Sequence, residues 1–264
     1  RAWSTSEEMP GEIVRSTDNG TNWDNVTSPH ADKSYKPPFS GVTFGNNTFV
    51  GVGGGQNSET SYWDGTIVRS TDNGASWENV SPSGISNFLT GVTFGNNTFV
   101  GVTYGAWTIW RSTDNGASFS AVYPVSALLY DVTFGNNTFV AVGYDDYDRN
   151  VGGIIRSTDN GSSWENVTSP TLQGLRGVGF GNNTFVAVGS SGNIVRSTDN
   201  GATWNNATSP TSNFLYGVTF GNNTFVAVGM GVNYKGIIFR STDNGASWDN
   251  VTSPNTYSLW SVTF

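Results

Sequence analysis

Two short strings recur along the chain, and their spacing limits the possible folds more than any other feature of the sequence. The string Gly-Val-Thr-Phe-Gly-Asn-Asn-Thr-Phe-Val recurs with small changes. Its first phenylalanines are Phe44, Phe94, Phe134, Phe180 and Phe220, and a sixth copy starts before Phe264. The string Arg-Ser-Thr-Asp-Asn-Gly occurs six times, with spacings of 54, 42, 45, 40 and 44 residues. A period near 45 residues with short apolar runs is typical of β-propeller blades, whereas helical solenoids need long segments of 3.6-residue periodicity.

Each repeat is predicted to form four strands, which we name A to D in chain order. In one copy, strand A is Val42–Phe44 and strand B is Thr48–Val52, joined by a Gly-Asn-Asn turn. Strand C is Thr66–Arg69, and strand D lies near Ser76–Val80. Gly and Asn tolerate the positive φ of tight turns, and the β-branched and aromatic residues fall within the strands.

The two ends of the chain predict how the blades close. Arg1 lies 14 residues before Arg15, just as Val226 in a strand B lies 14 residues before Arg240. We therefore expect the chain to begin at a strand B and to end at a strand A, and these two strands to pair. The prediction is a single all-β domain over residues 1–264, a six-bladed β-propeller of four-stranded antiparallel blades without open sheet edges.

Composition excludes several classes of protein. Aromatic residues make up 14 % of the chain and charged residues only 12 %, which argues against disorder. The net charge is −8, which disfavours nucleic acid as a partner. No apolar run approaches the roughly 18 residues of a membrane helix, so we expect no membrane insertion. The low charge and the abundant Asn, Thr, Ser and Gly favour an extracellular or cell-surface protein, which we expect to be monomeric.

Metal and cofactor chemistry finds little support in the sequence. The chain has no cysteine, and His30 is its only histidine, which argues against a zinc site or a Ser-His-Asp triad. Asp145, Asp146 and Asp148 share one loop, where carboxylates could bind calcium. They lack the EF-hand pattern, and we interpret them as a solvated acidic loop. We predict no metal and no cofactor.

The turn between strands C and D resembles a known motif. Ser70-Thr71-Asp72-Asn73-Gly74-Ala75-Ser76-Trp77 resembles the Asp box, S-x-D-x-G-x-[ST]-W, of the BNR-repeat or sialidase-like propellers, and one copy has Phe119 in place of Trp. In this reading the aspartates accept backbone N–H bonds and stabilise the turns without acting in catalysis. They are Asp18, Asp72, Asp114, Asp159, Asp199 and Asp243. The arginines before them are interpreted as structural too.

The resemblance also raises the question of catalysis. Sialidases of this family combine the fold with an arginine triad, a Tyr–Glu nucleophile pair and an Asp acid/base. Outside the repeated arginines only Arg1, Arg149 and Arg176 remain, and the Arg-Ile-Pro motif of that family is absent. We therefore predict no catalytic residue, and keep a sialidase-type glycoside hydrolase using Arg176, Arg149 and a loop carboxylate as an alternative.

The loops that differ between the repeats supply the candidate binding site. Just before strand A one column of the repeats reads Ser40, Thr90, Tyr130, Arg176, Tyr216 and Trp260, whereas the preceding column is apolar throughout. We predict ligand contacts at Tyr130, Arg176, Tyr216 and Trp260, with Trp63, Trp107, Tyr144 and Asp146 in the surrounding loops. Aromatic rings can stack on sugars or pack on proteins, while Arg and Asp fix orientation.

Three functions remain open on the sequence alone. The first is a non-catalytic, lectin-like module that binds a glycan or a protein through the variable loops. The second is the sialidase-type hydrolase. The third is an assembly scaffold without a small ligand, for which an exposed apolar patch against another chain would be the mark.

Overall fold

The computed structural model describes residues 12–29, 38–56, 63–105, 108–123, 127–145, 152–254 and 257–264, with the backbone alone at residues 127 and 145. The chain divides into two compact units. The first unit comprises Arg1–Ala106 and Trp110–Ala121, and the second comprises Trp107–Ile109 and Val122–Phe264.

The first unit contains three antiparallel sheets. In the described part of the chain, one sheet has two strands and the others have four. The strands are β1 (Ile13–Arg15) and β2 (Asp24–Val26); β3 (Phe39–Gly45), β4 (Thr48–Gln56), β5 (Trp63–Ser70) and β6 (Glu78–Asn79); and β7 (Leu89–Gly95), β8 (Thr98–Thr103), β9 (Ile109–Ser112) and β10 (Ser120–Val122). The first residue of β9, Ile109, and the last residue of β10, Val122, are counted with the second unit.

The second unit contains three further antiparallel sheets of four strands each. The strands are β11 (Ala127–Gly135), β12 (Thr138–Asp145), β13 (Gly152–Ser157) and β14 (Glu165–Val167); β15 (Leu175–Gly181), β16 (Thr184–Gly189), β17 (Ile194–Ser197) and β18 (Asn205–Asn206); and β19 (Phe214–Gly221), β20 (Thr224–Met230), β21 (Gly236–Ser241) and β22 (Asp249–Val251). Two 3-10 turns, Ser190–Gly192 and Val232–Tyr234, follow β16 and β20.

The five four-stranded sheets and the two-stranded sheet confirm the sequence prediction of a six-bladed, all-β propeller. Within each sheet, consecutive strands pair as a meander. At the turn between the first two strands, Asn182 and Asn183 have φ of 44° and 57°, the left-handed pair that a two-residue hairpin of right-handed twist requires. The two-stranded sheet holds strands C and D of its blade, because Arg15 and Asp24 occupy the same register as Arg156 and Glu165.

Packing between successive sheets follows the repeat. Val140 and Ile154 of one sheet pack in one cluster with Leu175, Phe185 and Trp204 of the next. At the end of four of the five strands A that are assigned, a glycine faces a phenylalanine ring, and a Cβ at Gly181 would lie 2.0 Å from the Phe220 ring. This contact leaves no room for a side chain, so the glycine of the repeated string is a packing requirement.

The last residues of the chain lie beside β19. A Cβ at Gly221 would lie 2.3 Å from the Phe264 ring, and a Cβ at Gly217 would lie 3.3 Å from the Cα atom of Ser261. These contacts match those between the earlier strands A, although residues 260–264 are not assigned as a strand. The proposed partner at residues 1–9 lies outside the described residues, so the pairing of the two ends stays a prediction.

The turns between strands C and D are held by a repeated set of hydrogen bonds. In one copy, the Asp199 carboxylate accepts bonds from the Ser197 hydroxyl (2.7 Å) and from the Thr203 amide (2.9 Å) and hydroxyl (2.6 Å). The Gly201 amide donates to Ser197 Oγ, and the Trp204 indole N–H donates to the Gly201 carbonyl. Burial raises the pKa of Asp199, but the bonds from Thr203 and Ser197 outweigh it and lower the pKa to about 2.

Three of the repeated arginines connect neighbouring sheets. Arg69 Nε donates to the Asn115 carbonyl at 2.9 Å, and Arg196 Nε donates to the Asn244 carbonyl at 3.0 Å. In the third, Arg156 Nη1 donates to the Asn200 carbonyl at 3.3 Å. Each guanidinium thus holds the turn of the following sheet.

Candidate functional site

The variable column of the repeats lies at a backbone irregularity. In the first strand of every four-stranded sheet the pairing skips one residue, as between Leu175 and Gly177. The skipped residues are Ser40, Thr90, Tyr130, Arg176 and Tyr216. A β-bulge of this kind re-aims a side chain away from the regular alternation of the strand. The repeat therefore offers one re-aimed side chain per sheet, and its identity is what changes.

In the second unit, the three re-aimed side chains form an arginine–aromatic cluster with three further aromatic side chains. Its members are Tyr130, Tyr144, Arg176, Phe214, Tyr216 and Trp260. The Arg176 guanidinium carbon lies 4.6 Å from the centroid of the Tyr130 ring and 5.8 Å from that of Tyr144, and Nη2 donates to Tyr144 Oη at 3.4 Å. The two tyrosine rings meet edge to face, with centroids 5.6 Å apart. Cation–π contacts thus hold the guanidinium in place.

The other half of the cluster is an aromatic stack. The Tyr216 and Trp260 rings are stacked at 4.3 Å, with an angle of 18° between their planes, and Phe214 is stacked on Tyr216 at 6.2 Å. Trp260 is 51 % exposed and Phe214 is 39 % exposed. Burial raises the pKa of Tyr216, and the positive charge of Arg176 lowers it in part. The half-exposed aromatic stack therefore lies close enough to Arg176 to interact with its positive charge.

The charge of Arg176 is not neutralised by a carboxylate in the described part of the chain. Arg69 and Arg156 pair with Glu78 and Glu165, whereas no ion pair to Arg176 is found among the described residues. Its Nε atom is buried without a hydrogen-bond partner. A guanidinium in this state favours an incoming anion, because carboxylates accept its N–H groups in charge-assisted hydrogen bonds.

The structure brings together five of the eight predicted ligand contacts. Tyr130, Tyr144, Arg176, Tyr216 and Trp260 belong to the cluster. Trp63 belongs to the first unit, where it is 44 % exposed and packs on Phe88 at 5.4 Å. Phe88 in turn packs on Tyr104 at 5.9 Å, so Trp63 is part of a separate aromatic group. Trp107 and Asp146 lie outside the described residues, as do Arg149 and His30.

Sequence reasoning missed three neighbours of the cluster. Tyr144 Oη lies 3.1 Å from Ser190 Oγ, and Tyr216 Oη donates to Met230 Sδ at 3.8 Å. Ser190 lies in the 3-10 turn of the following sheet, and Met230 ends the strand next to that of Tyr216 in the same sheet. No pattern in the sequence gives either distance. The third, Asp131, had a visible signal, because it replaces the glycine of the repeat directly after Tyr130.

Two matching grooves recur between neighbouring sheets. One, in the second unit, has a volume of about 380 Å³ and is lined by Arg156, Glu165 and Trp204 among others. Its counterpart in the first unit, of about 500 Å³, has Arg15 and Trp77 in the same places. In the groove of the second unit the Arg156 guanidinium pairs with Glu165 and the Trp204 indole N–H is already bonded, so these groups are satisfied within the fold. The arginine–aromatic cluster differs from this groove of the second unit, because its guanidinium has no carboxylate partner among the described residues.

No metal site is formed by the residues that the structure describes, since no three His, Cys, Asp or Glu side chains come together in them. The side chains of the acidic loop at 145–148 are outside that part of the chain. The helices among the described residues are too short to cross a membrane.

Comparison with known proteins identifies the fold. No family model matches this chain, and no curated protein sequence matches it. The solved structure of YCF48 bound to a D1 peptide is similar with a TM-score of 0.63 and 18 % identity, over 90 % of this chain and 74 % of that chain. YCF48 from Cyanidioschyzon merolae is similar with a TM-score of 0.60 and 16 % identity, over 91 % of this chain and 78 % of that chain. Both are β-propellers, in agreement with the six sheets.

Proposed function

We propose that the chain is a non-catalytic binding module that takes an acidic segment of a partner protein on the arginine–aromatic cluster. The observation that carries the proposal is the Arg176 guanidinium, which is held against two tyrosine rings and has no carboxylate partner among the described residues. Arg, Tyr and Trp are the residues that contribute most to binding energy at protein interfaces. A partner carboxylate would pair with Arg176 while an apolar side chain beside it packs on Trp260.

The structural likeness supports a protein ligand over a glycan. YCF48, which shares the fold, has been solved with a peptide bound. Fold alone does not carry function, so the likeness supports the choice of probe and the cluster supports the choice of site. We also propose that the turns between strands C and D are Asp boxes and that the chain is located outside the cell.

A peptide array with matched charge variants tests the proposal. The purified chain is applied to immobilised random peptides of defined acidic, neutral and basic composition, and dissociation constants of the bound peptides are then measured by fluorescence polarisation. We expect binding of acidic peptides with an aromatic or aliphatic neighbour. Arg176→Gln and Trp260→Ala should each weaken it at least tenfold, which is about 1.4 kcal/mol.

The control is the same change at an arginine outside the cluster. Arg240 lies on β21 with its side chain 58 % exposed and its Nε 4.0 Å from the Asp249 carboxylate, and Arg240→Gln should leave the affinity within twofold. Equal binding by the parent, Arg176→Gln and Trp260→Ala would reject the cluster as the site. Absence of binding to every peptide would reject the protein ligand.

A glycan is the second candidate, favoured by the half-exposed Phe214–Tyr216–Trp260 stack. Sugars present C–H faces that pack on such rings. A glycan array run with the same variants distinguishes the two: binding that Trp260→Ala abolishes on glycans and not on peptides would replace the protein ligand by a carbohydrate.

A further inference from the structure

Asp131 occupies a position that the repeat otherwise reserves for small residues. The equivalent residues of the other copies are Gly41, Gly91, Gly177, Gly217 and Ser261. A Cβ at Gly177 would lie 2.8 Å from the Tyr216 carbonyl oxygen and 3.0 Å from the Gly217 Cα atom. Gly177 is therefore closely packed, and an ionisable side chain is found in this column only at Asp131.

The carboxylate of Asp131 joins two strands that both carry cluster residues. Its Oδ1 accepts the Val132 amide at 2.9 Å, within β11, and its Oδ2 accepts the Val178 amide of β15 at 2.9 Å. Tyr130 lies directly before Asp131, and Arg176 lies two residues before Val178. Asp131 thus holds the strand of Tyr130 to the strand of Arg176.

The other copies show what the side chain replaces. A Cβ at Gly41 would lie 3.7 Å from the Val92 amide nitrogen, and one at Gly217 would lie 3.6 Å from the Val262 amide nitrogen. The column therefore faces an amide of the next strand, and a glycine offers that amide no side-chain acceptor. The additional hydrogen bond, from the Val178 amide to Asp131, lies beside the Tyr130–Arg176 contact. This contact depends on the spacing of β11 and β15.

Few charged groups lie on the strands around Asp131. β11 packs against β12, β13 and β15, whose titratable or charged residues are Tyr144, Asp145, Arg156 and Arg176, and β11 itself carries Tyr130. The side chain of Asp145 is outside the described part of the chain. No ion pair to Asp131 is present among the described residues. Burial raises the pKa of Asp131 to about 6, although the amides of Val178 and Val132 lower it in part. Protonation would leave one carboxyl oxygen as a poor acceptor, so one of the two amide bonds would be lost.

We propose that Asp131 is a positioning residue of the binding site: its carboxylate sets the Tyr130–Arg176 contact by bonding the Val178 amide, and its protonation weakens this bond and loosens the contact. Ligand binding on the cluster is then weaker in mildly acidic solution than at neutral pH. The binding consequence rests on the proposed function, whereas the coupling between Asp131 and Arg176 does not.

A titration followed by NMR tests the coupling without any ligand. In the ¹⁵N-labelled full chain, the Val178 amide signal should shift between pH 4.5 and 8 with a midpoint near 6. The Arg176 Nε–Hε signal and the Tyr130 ring signals should move with the same midpoint. Asp131→Asn keeps one acceptor and removes the ionisation, so all three titrations should disappear. Asp249→Asn, on the exposed strand β22, serves as the matched control and should leave them unchanged.

Two results would overturn the proposal. One is a Val178 titration that the Arg176 and Tyr130 signals do not follow, because Asp131 would then be a local bond only. The other is persistence of the Arg176 titration in Asp131→Asn. If Asp131→Asn does not fold, Asp131→Gly, which restores the residue of four other copies, replaces it with the same expectations.

The binding consequence has its own readout. An acidic peptide bound at pH 7.5 should bind at least threefold more weakly at pH 5.5 to the parent chain, and with a smaller change to Asp131→Asn. An equal change in both proteins would overturn the effect on binding. Failure of every peptide to bind would reject the proposed function, while the NMR titration would still decide the role of Asp131.

Discussion

At the scale of single residues, the molecule is distinguished by departures from its own repeat. Most positions of the repeated strings are copied, and their contacts are copied with them: the Asp199 turn is repeated around Asp159 and Asp243. Tyr130, Arg176 and Tyr216 differ at one re-aimed position, and Asp131 differs at the next. The repeated structure does not explain a side chain that departs from the repeat. The contacts of such a side chain are therefore the best guide to function.

The buried carboxylate of Asp131 predicts an unusual dependence of stability on pH. Its pKa is raised from the ordinary 3.8 to about 6 in the folded chain, so the folded state holds the proton more tightly than the unfolded state. The associated stability is present below pH 4 and is lost as the pH rises through 6, by an amount on the order of 3 kcal/mol. The free energy of unfolding of the parent relative to Asp131→Gly should therefore fall between pH 4 and pH 7.

Urea unfolding of both proteins at several pH values measures this difference. The turn aspartates are common to the two proteins, so their titration cancels in the comparison. A difference between parent and Asp131→Gly that stays constant from pH 4 to pH 7 would show that Asp131 ionises in the folded chain as it does in the unfolded chain.

At the scale of elements, the turn between strands C and D depends on its buried serine. Ser197 is 2 % exposed, accepts the Gly201 amide at 2.9 Å and donates to Asp199. Asn200 and Gly201, with φ of 59° and 76°, place that amide under the turn, away from other acceptors. The aspartate binds the outer side of the turn and the serine binds its inner side.

Ser197→Ala should lower the free energy of unfolding by about 1 to 3 kcal/mol, because the Gly201 amide would be buried without an acceptor. Thermal and urea unfolding measure the change. Ser212→Ala, at an exposed serine of the same unit, should change stability by less than about 0.5 kcal/mol. Equal effects of the two substitutions would show that the turn amide finds water when Ser197 is removed.

At the scale of the whole molecule, the repeat determined how much could be predicted. The strands, their order and the turns followed from the period and from residues such as Asn182 and Asn183. The cluster was predicted only in part. That Tyr144 touches Arg176, and that Trp63 packs instead on Phe88, depends on where loops and bulges direct side chains, which a linear pattern does not give. Asp131 was visible as an exception to the repeat, but its role required the distance to the Val178 amide.

The repeated turns also set the response of the whole chain to acid. Each sheet carries one turn aspartate, and hydrogen bonds from Ser247 lower the pKa of Asp243 to about 2, while the pKa values of Asp114, Asp159 and Asp199 are also lowered to about 2. A lowered pKa means that the folded state favours the ionised form, so this stabilisation is complete above pH 4 and is lost as the pH falls toward 2. The effect is opposite in sign to that of Asp131, and the two act in different pH ranges.

We therefore expect the free energy of unfolding to fall steeply between pH 4 and pH 2. A substitution in one turn should isolate the contribution of that turn to this fall. Asp199→Asn should be less stable than the parent at pH 5, and the difference should shrink as the pH falls to 2, because the parent then loses the same ionised carboxylate. Asp249→Asn, whose side chain is exposed on β22, should show a difference that changes little over this range. If the deficit of Asp199→Asn is as large at pH 2 as at pH 5, the turn is stabilised by the shape and hydrogen bonds of the side chain and not by its charge.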